Sequence, residues 1–274
     1  MRIYNNVEAQ NAHRQLSTTT TALSKTMERL SSGMRINRAA DDAAGLAVSE
    51  EMRTQIRGMN VAARNALDGV SLVQVADGAL GGVNDMLQRV RDLAVQASNG
   101  TLTDLQRGNL DQEVQSVMAE IARVASDTEF NGIKILSGSV ATAASAVTLQ
   151  VGANSSQTIA FTVATMTASD LGISGLSVST AASASAAIAS IDAAIRTVNS
   201  QRASMGAIQN RLEQTISRLE LTAENLQAAE SRIRDADMAE EMIALTKSQI
   251  LQQSGTAMLA QANQLPQGIL QLLG

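Results

Sequence analysis

Apolar residues recur along this chain in steps of three and four, the spacing that gathers them on one face of an α-helix. The longest run goes from Ile188 to Ile233. Of its fourteen ladder positions, eleven are apolar: Ile188, Ile191, Ile195, Val198, Met205, Leu212, Ile216, Leu219, Ala223, Leu226 and Ile233. Arg202, Gln209 and Glu230 interrupt it. A seven-residue repeat held this long predicts a coiled-coil-like seam, on a helix roughly 70 Å long at about 1.5 Å per residue. A second stripe runs Met52, Ile56, Met59, Ala63, Ala66, Val70, Val73; a third Leu80, Val83, Leu87, Val90, Ala94; a fourth Leu110, Val114, Val117, Ile121, Val124. Gly78, Gly81 and Gly82 predict a loosened junction between the second and third, and Ser98-Asn99-Gly100-Thr101 a turn between the third and fourth. One apolar stripe per helix must be buried against a neighbour, so the expected fold is mainly α, an elongated antiparallel helical bundle.

The period changes in the middle of the chain. Val147, Leu149 and Val151 alternate with polar or small residues, and Ile159, Phe161 and Val163 do so again. With the connection Gly152 to Thr158 between them, this is a β-hairpin pattern. The flanking tract from Ser137 to Ala187 is rich in Ala, Ser and Thr, low in charge, and reads as including exposed loops.

The two ends carry weaker ladders. The first is Ala9, His13, Leu16, Thr20, Leu23, Met27, Leu30, Met34; the last is Ile243, Lys247, Ile250, Ser254, Met258, Gln261, Leu265, Ile269, Leu272. Polar residues interrupt both, and isolated helices of this kind are marginal in water. The expectation is that the termini pair side by side at one end of the bundle and with other copies, through Leu16, Leu23, Met27, Leu30, Ile250, Met258, Leu265 and Ile269. Pro266 cannot donate to a helical ladder and predicts a kink or restart.

Composition narrows the chemistry. The 274 residues include Tyr4, Phe130 and Phe161 as the aromatic residues and no Trp, so aliphatic side chains and twelve Met must fill the core. Net charge is −5, with no Lys/Arg run longer than two, which argues against a nucleic-acid face. Cysteine is absent, which removes disulfides, thiolate zinc sites and Cys nucleophiles. His13 is the single histidine, a poor basis for a metal site or a Ser-His-Asp triad. The N-terminus has no apolar core of a secretory signal, and no stretch of 18 apolar residues predicts a membrane span. No catalytic residue, cofactor or metal is expected, and the reading points to a structural or interaction protein.

Several long motifs then carry a resemblance. Leu30 to Ser49, LSSGMRINRAADDAAGLAVS, closely resembles the N-terminal signature of bacterial flagellin. QRVRDLAVQ (Gln88 to Gln96), FNGIKIL (Phe130 to Leu136), SRIRDAD (Ser231 to Asp237) and the stretch from Ile250 are similar to later flagellin motifs, in the family's order. The resemblance covers roughly residues 1–136 and 190–274, with a short middle in place of large variable outer domains. It implies a filament-core helical domain from residues 1–44 and 231–274. It further implies a rod domain from 45–187, which carries the hairpin, and 188–230. By the same resemblance the chain is secreted unfolded through the type III-like flagellar export apparatus. It polymerises into an open helical homopolymer, and its further partners are an export chaperone, the filament cap and the junction proteins. The hairpin falls where the family has a structural switch, so deleting Gly152 to Thr158 is expected to alter filament shape. Arg89, Leu93 and Glu113 align with the patch that Toll-like receptor 5 recognises in some flagellins; Arg89 and Leu93, four apart, would share a helix face. Protofilament packing is the plainer role for the same three residues.

Other features read blandly. Asp41-Asp42 is a poor cation pair, since adjacent carboxylates on a helix diverge, and Arg35 and Arg38 offer ion pairs nearby. Asn99-Gly100-Thr101 and Asn154-Ser155-Ser156 fit a glycosylation sequon, a short and weak pattern. Bacterial flagellin sugars more often sit on Ser or Thr of the exposed middle, here Ser139 to Ser156. The competing identities are a hook–filament junction protein, which shares similar termini, and a chemoreceptor-like signalling coiled coil, which normally follows a membrane span. An enzyme would need a pocket with convergent acid–base groups.

Overall fold

The computed structural model describes residues 6–273, with side chains described for residues 6–264. The chain is mainly helical: α1 (Val7–Ser32), α2 (Ala43–Ala97), α3 (Asp104–Asp127), α4 (Ala181–Arg234) and α5 (Met238–Leu273). Two antiparallel strand pairs lie between α3 and α4, β1 (Glu129–Phe130) with β2 (Ile133–Lys134) and β3 (Val147–Gln150) with β4 (Thr158–Phe161). The chain divides into two compact units, Met1–Thr54 with Glu224–Gly274, and Gln55–Ala223. The first takes in the first twelve residues of α2 and the last eleven of α4.

Gln55–Ala223 holds the main core. On α2 two heptad columns are buried throughout: Met59, Ala66, Val73, Leu80, Leu87, Ala94, and Ala62, Ala76, Val83, Val90, Ala97. On α4 the matching columns are Ala184, Ile191, Val198, Met205, Leu212, Leu219, and Ala187, Ala194, Ile208, Thr215. The long ladder read from the sequence thus contains one true seam column. Its other half, Ile188, Ile195 and Ile216, packs partly buried against the core. Ion pairs flank the seam in crossed order, Asp77 with Arg202 at 2.9 Å and Arg91 with Asp192 at 2.7 Å, which makes α2 and α4 antiparallel. The loosened junction expected at Gly78, Gly81 and Gly82 does not form: α2 is one helix of 55 residues. Each helical glycine costs only about 1 kcal/mol against alanine, and the buried aliphatic columns on either side outweigh that.

The turn expected at Ser98 to Thr101 is present. Thr103 opens α3 with a capping box, its hydroxyl accepting from the Gln106 N–H while the Gln106 side chain accepts from the Thr103 N–H. Buried Arg107 reaches back from α3 to the end of α2, donating to the carbonyls of Ala97 and Asn99 at 3.0 Å each. That satisfies orphan carbonyls at a helix C-terminus.

The β3–β4 hairpin has the expected residues in register, Val147 opposite Phe161 and Leu149 opposite Ile159. The smaller β1–β2 hairpin, with strands of two residues each, is too short to show an alternating pattern. Its turn is Asn131-Gly132, both with positive φ (51° and 78°), the pair that two-residue hairpins favour.

In the other unit α1 and α5 run antiparallel. Asn6 donates to the Ala262 carbonyl at 2.9 Å, and Arg29 pairs with Glu241 at 2.9 Å. The segments between α1 and α2 and between α4 and α5 are stitched by main-chain bonds, Arg35 N–H to Arg234 O at 2.7 Å and Ala236 N–H to Gly33 O at 3.0 Å. The helix α5 continues across position 266 as a single element, so the restart expected at Pro266 is absent from its backbone.

Candidate functional site

The termini present the largest contrast between expected and observed faces. In α1 the stripe turned toward α5 is Ala9, Ala12, Leu16, Thr19, Leu23, Thr26 and Leu30. Ala9, Leu16, Leu23 and Leu30 belong to the predicted ladder, whereas His13, Thr20 and Met27 lie exposed. Leu23, expected to meet other copies, is buried within its own chain, and Leu16 is half-buried over Gly255. In α5 the covered stripe is Glu241, Ala244, Leu245, Ser248, Gln252, Gly255, Leu259 and Ala262. None of these is on the predicted ladder. That ladder faces outward, with Ile243 68%, Ile250 63% and Met258 64% exposed. The physical reason is close packing: small residues on α5 let α1 approach, and Leu16 seats against Gly255. The more apolar face is left uncovered within the chain. Leu265 and Ile269 lie outside the residues whose side chains are described.

The patch at Arg89, Leu93 and Glu113 divides. Arg89 Nε and Nη2 both bond Glu113 Oε1, at 3.0 and 2.5 Å, forming an exposed cross-link between α2 and α3. Leu93 does not join them; it is 2% exposed and belongs to the core. Four residues on a helix are offset by about 40°, and α2 here is covered by α3 as well as α4, so its buried stripe is wide enough to take in position 93.

Asp41 and Asp42 also separate. Asp41 Oδ1 pairs with Lys25 at 2.6 Å, and its Oδ2 accepts from the N–H groups of Arg38 and Asn37. The Lys25 hydrogen bond, helped by the Arg38 N–H, holds the Asp41 carboxyl down at about 2. Asp42 accepts from the Gly45 N–H at 2.9 Å and so caps the start of α2. The expected arginine partners go elsewhere, Arg38 to Glu28 at 2.9 Å and Arg35 to the Ile233 carbonyl at 2.6 Å. Nearby, Arg234 donates to Glu50 at 2.6 Å and lowers that carboxyl's pKa. Among the described residues no group of three or more His, Asp or Glu side chains is arranged to hold a metal ion. No described helix is long and apolar enough to cross a membrane.

The geometry offers a set of helical surfaces, and comparison with known proteins gives the family they belong to. Residues 3–141 match the family model of the bacterial flagellin N-terminal helical region, and residues 188–273 that of the bacterial flagellin C-terminal helical region. The chain is 49% identical to the flagellar filament 33 kDa core protein of Treponema phagedenis, over the whole of both chains. It is 48% identical to a flagellin of Bacillus subtilis, again over the whole of both. The crystal structure of Bacillus cereus flagellin matches 61% of this chain and 94% of its own at 32% identity, with a TM-score of 0.51. The N- and C-terminal regions matched are those whose helices pair here, and on these findings the chain belongs to the bacterial flagellin family.

Proposed function

We propose that this chain is a structural subunit that polymerises with copies of itself into the bacterial flagellar filament that drives swimming. The observation that carries the reading is the outward ladder Ile243, Ile250 and Met258 on α5, joined by exposed Met27 on α1. Burying a large aliphatic side chain is worth about 1.5–3 kcal/mol, and another copy is what the family supplies to cover it. A heterologous contact that does not close produces an open helix of subunits. The filament core proteins among full-length relatives favour this over a hook–filament junction role. Export to the cell exterior, with an export chaperone, the cap and junction proteins as partners, follows from the same family reading. So does a switch role for the β3–β4 hairpin, testable by deleting Gly152 to Thr158 and inspecting filament shape.

Electron microscopy of seeded, concentrated protein tests the central reading. Long filaments are expected, and Ile243→Ser with Ile250→Ser should raise the concentration needed to form them. Protein that stays monomeric under seeding refutes the proposal, and assembly stopping at a few copies favours the junction role. A second reading concerns the exposed Arg89–Glu113 pair as a contact for Toll-like receptor 5 and for neighbouring protofilaments; Leu93 supports it from the core. In a receptor reporter-cell assay Arg89→Ala should weaken the response, and silence from the wild-type protein ends the receptor part.

A further inference from the structure

The β3–β4 hairpin has no third strand beside it among the described residues, and a lone two-stranded hairpin is marginal in water. Its position therefore depends on what it rests against. At its turn end that support is α2, and three α2 residues meet it. A Cβ added at Gly58 would lie 2.8 Å from Ala153 Cβ and 3.1 Å from Ala153 Cα, and neither atom can rotate away. Asn65 Nδ2 donates to the Gln150 carbonyl at 3.1 Å. A Cβ added at Gly69 would run into Leu149 Cδ1, with Leu212 Cδ1 at 3.4 Å. Steps of seven and four put the three residues on one face of the helix.

These contacts are particular to that face. At Gly78, Gly81 and Gly82, later in the same helix, an added Cβ would meet nothing within 4 Å. Glycine inside a helix is unfavourable by about 1 kcal/mol relative to alanine, and close approach of another backbone is the usual gain. An open cleft of about 490 Å³ runs along the contact, lined by Arg57 and Val61 on α2 and by Asn154 and Ser155 on the turn, so the seat is held at a few points and not by continuous packing. The strands are also anchored in the core, through buried Val151, Phe161 and Val163.

We propose that Gly58, Asn65 and Gly69 form a seat that sets where the hairpin rides on α2, so that bulk added at Gly58 loosens the turn end while the helical core stays folded. The claim concerns the soluble chain and stands apart from the filament reading. Hydrogen exchange on the full-length protein tests it. Gly58→Ala should speed exchange in residues 149–157 by about tenfold, with residues 80–94 unchanged. Adding Ala153→Gly removes the methyl that the new one meets and should restore slow exchange. Gly78→Ala, in open space, should leave the hairpin as it was. Unchanged hairpin exchange in Gly58→Ala overturns the proposal, as does failure of Ala153→Gly to reverse it. Should Gly58→Ala not fold, Asn65→Ala removes a single hydrogen bond and carries the same expectation; wild-type exchange in that variant also overturns it.

Discussion

The two compact units use one sequence period in opposite ways. In Gln55–Ala223 the aliphatic columns of α2 and α4 turn inward, and Leu80, Leu87, Ile191 and Val198 reach zero exposure. In Met1–Thr54 with Glu224–Gly274 the seam between α1 and α5 is built from Ala, Thr, Ser and Gly around a few leucines. There the aliphatic ladder of α5 faces away. A helix with both a small-residue face and an aliphatic face has two stripes to offer. The first suits close approach within the chain, and the second is left for something outside it. Periodicity reports that a stripe exists; it does not say which of two stripes meets the nearest neighbour.

Truncation gives the largest contrast. Leu87→Ala, in the filled core, should cost about 2–5 kcal/mol in urea unfolding of the soluble protein. The same truncation at Ile250 should stay within about 0.5 kcal/mol, as for other exposed positions. Equal costs would erase the distinction between the units. A smaller loss is expected from Arg107→Ala, about 1–3 kcal/mol by thermal unfolding, because the Ala97 and Asn99 carbonyls lose their donors. That effect belongs to Gln55–Ala223 and should leave exchange in α1 and α5 unaltered.

The smallest effect is electrostatic and sits in the terminal unit. Asp41 is held at about 2, below its ordinary value of 3.8. A depressed carboxyl contributes stability that is complete above the unfolded value and is lost as pH falls through the folded one. The terminal unit should therefore weaken between about pH 4 and pH 2. Lys25→Met should flatten that limb of a pH titration followed by exchange in α1; an unaltered acid limb would show that the Lys25 contact contributes little.

Much of the fold was legible because its signals are local. The 3–4 ladders marked the helices, the Ser98 to Thr101 cluster marked a turn, and alternation at Val147 to Val163 marked the hairpin, while its register, Leu149 opposite Ile159 and Thr158 already in the strand, came from the structure. The Asn131-Gly132 turn carries its own signal, the Asn-Gly dipeptide that suits two residues with positive φ. The glycines at 78, 81 and 82 misled, because a local cost of about 1 kcal/mol each is outweighed by burial that is only visible across helices. The candidate contacts were legible as residue types but not as faces. Leu93 and Arg89 are neighbours on α2, yet the first is buried in the core and the second lies at the surface, paired with Glu113.

By itself the sequence determined that this is a cysteine-free, almost aromatic-free helical chain and marked the larger of its hairpins, and its motifs placed it among flagellins. Those properties follow from residue type and spacing along the backbone. Only the tertiary structure decided that α2 runs unbroken, that Asp41 pairs with Lys25, and that the hairpin's turn end rests on Gly58 and Gly69. It also decided that α5 turns its aliphatic ladder away from α1. Each of these depends on which surface packs closest across the chain, and packing distance is set by the shapes of both partners rather than by the pattern of either one.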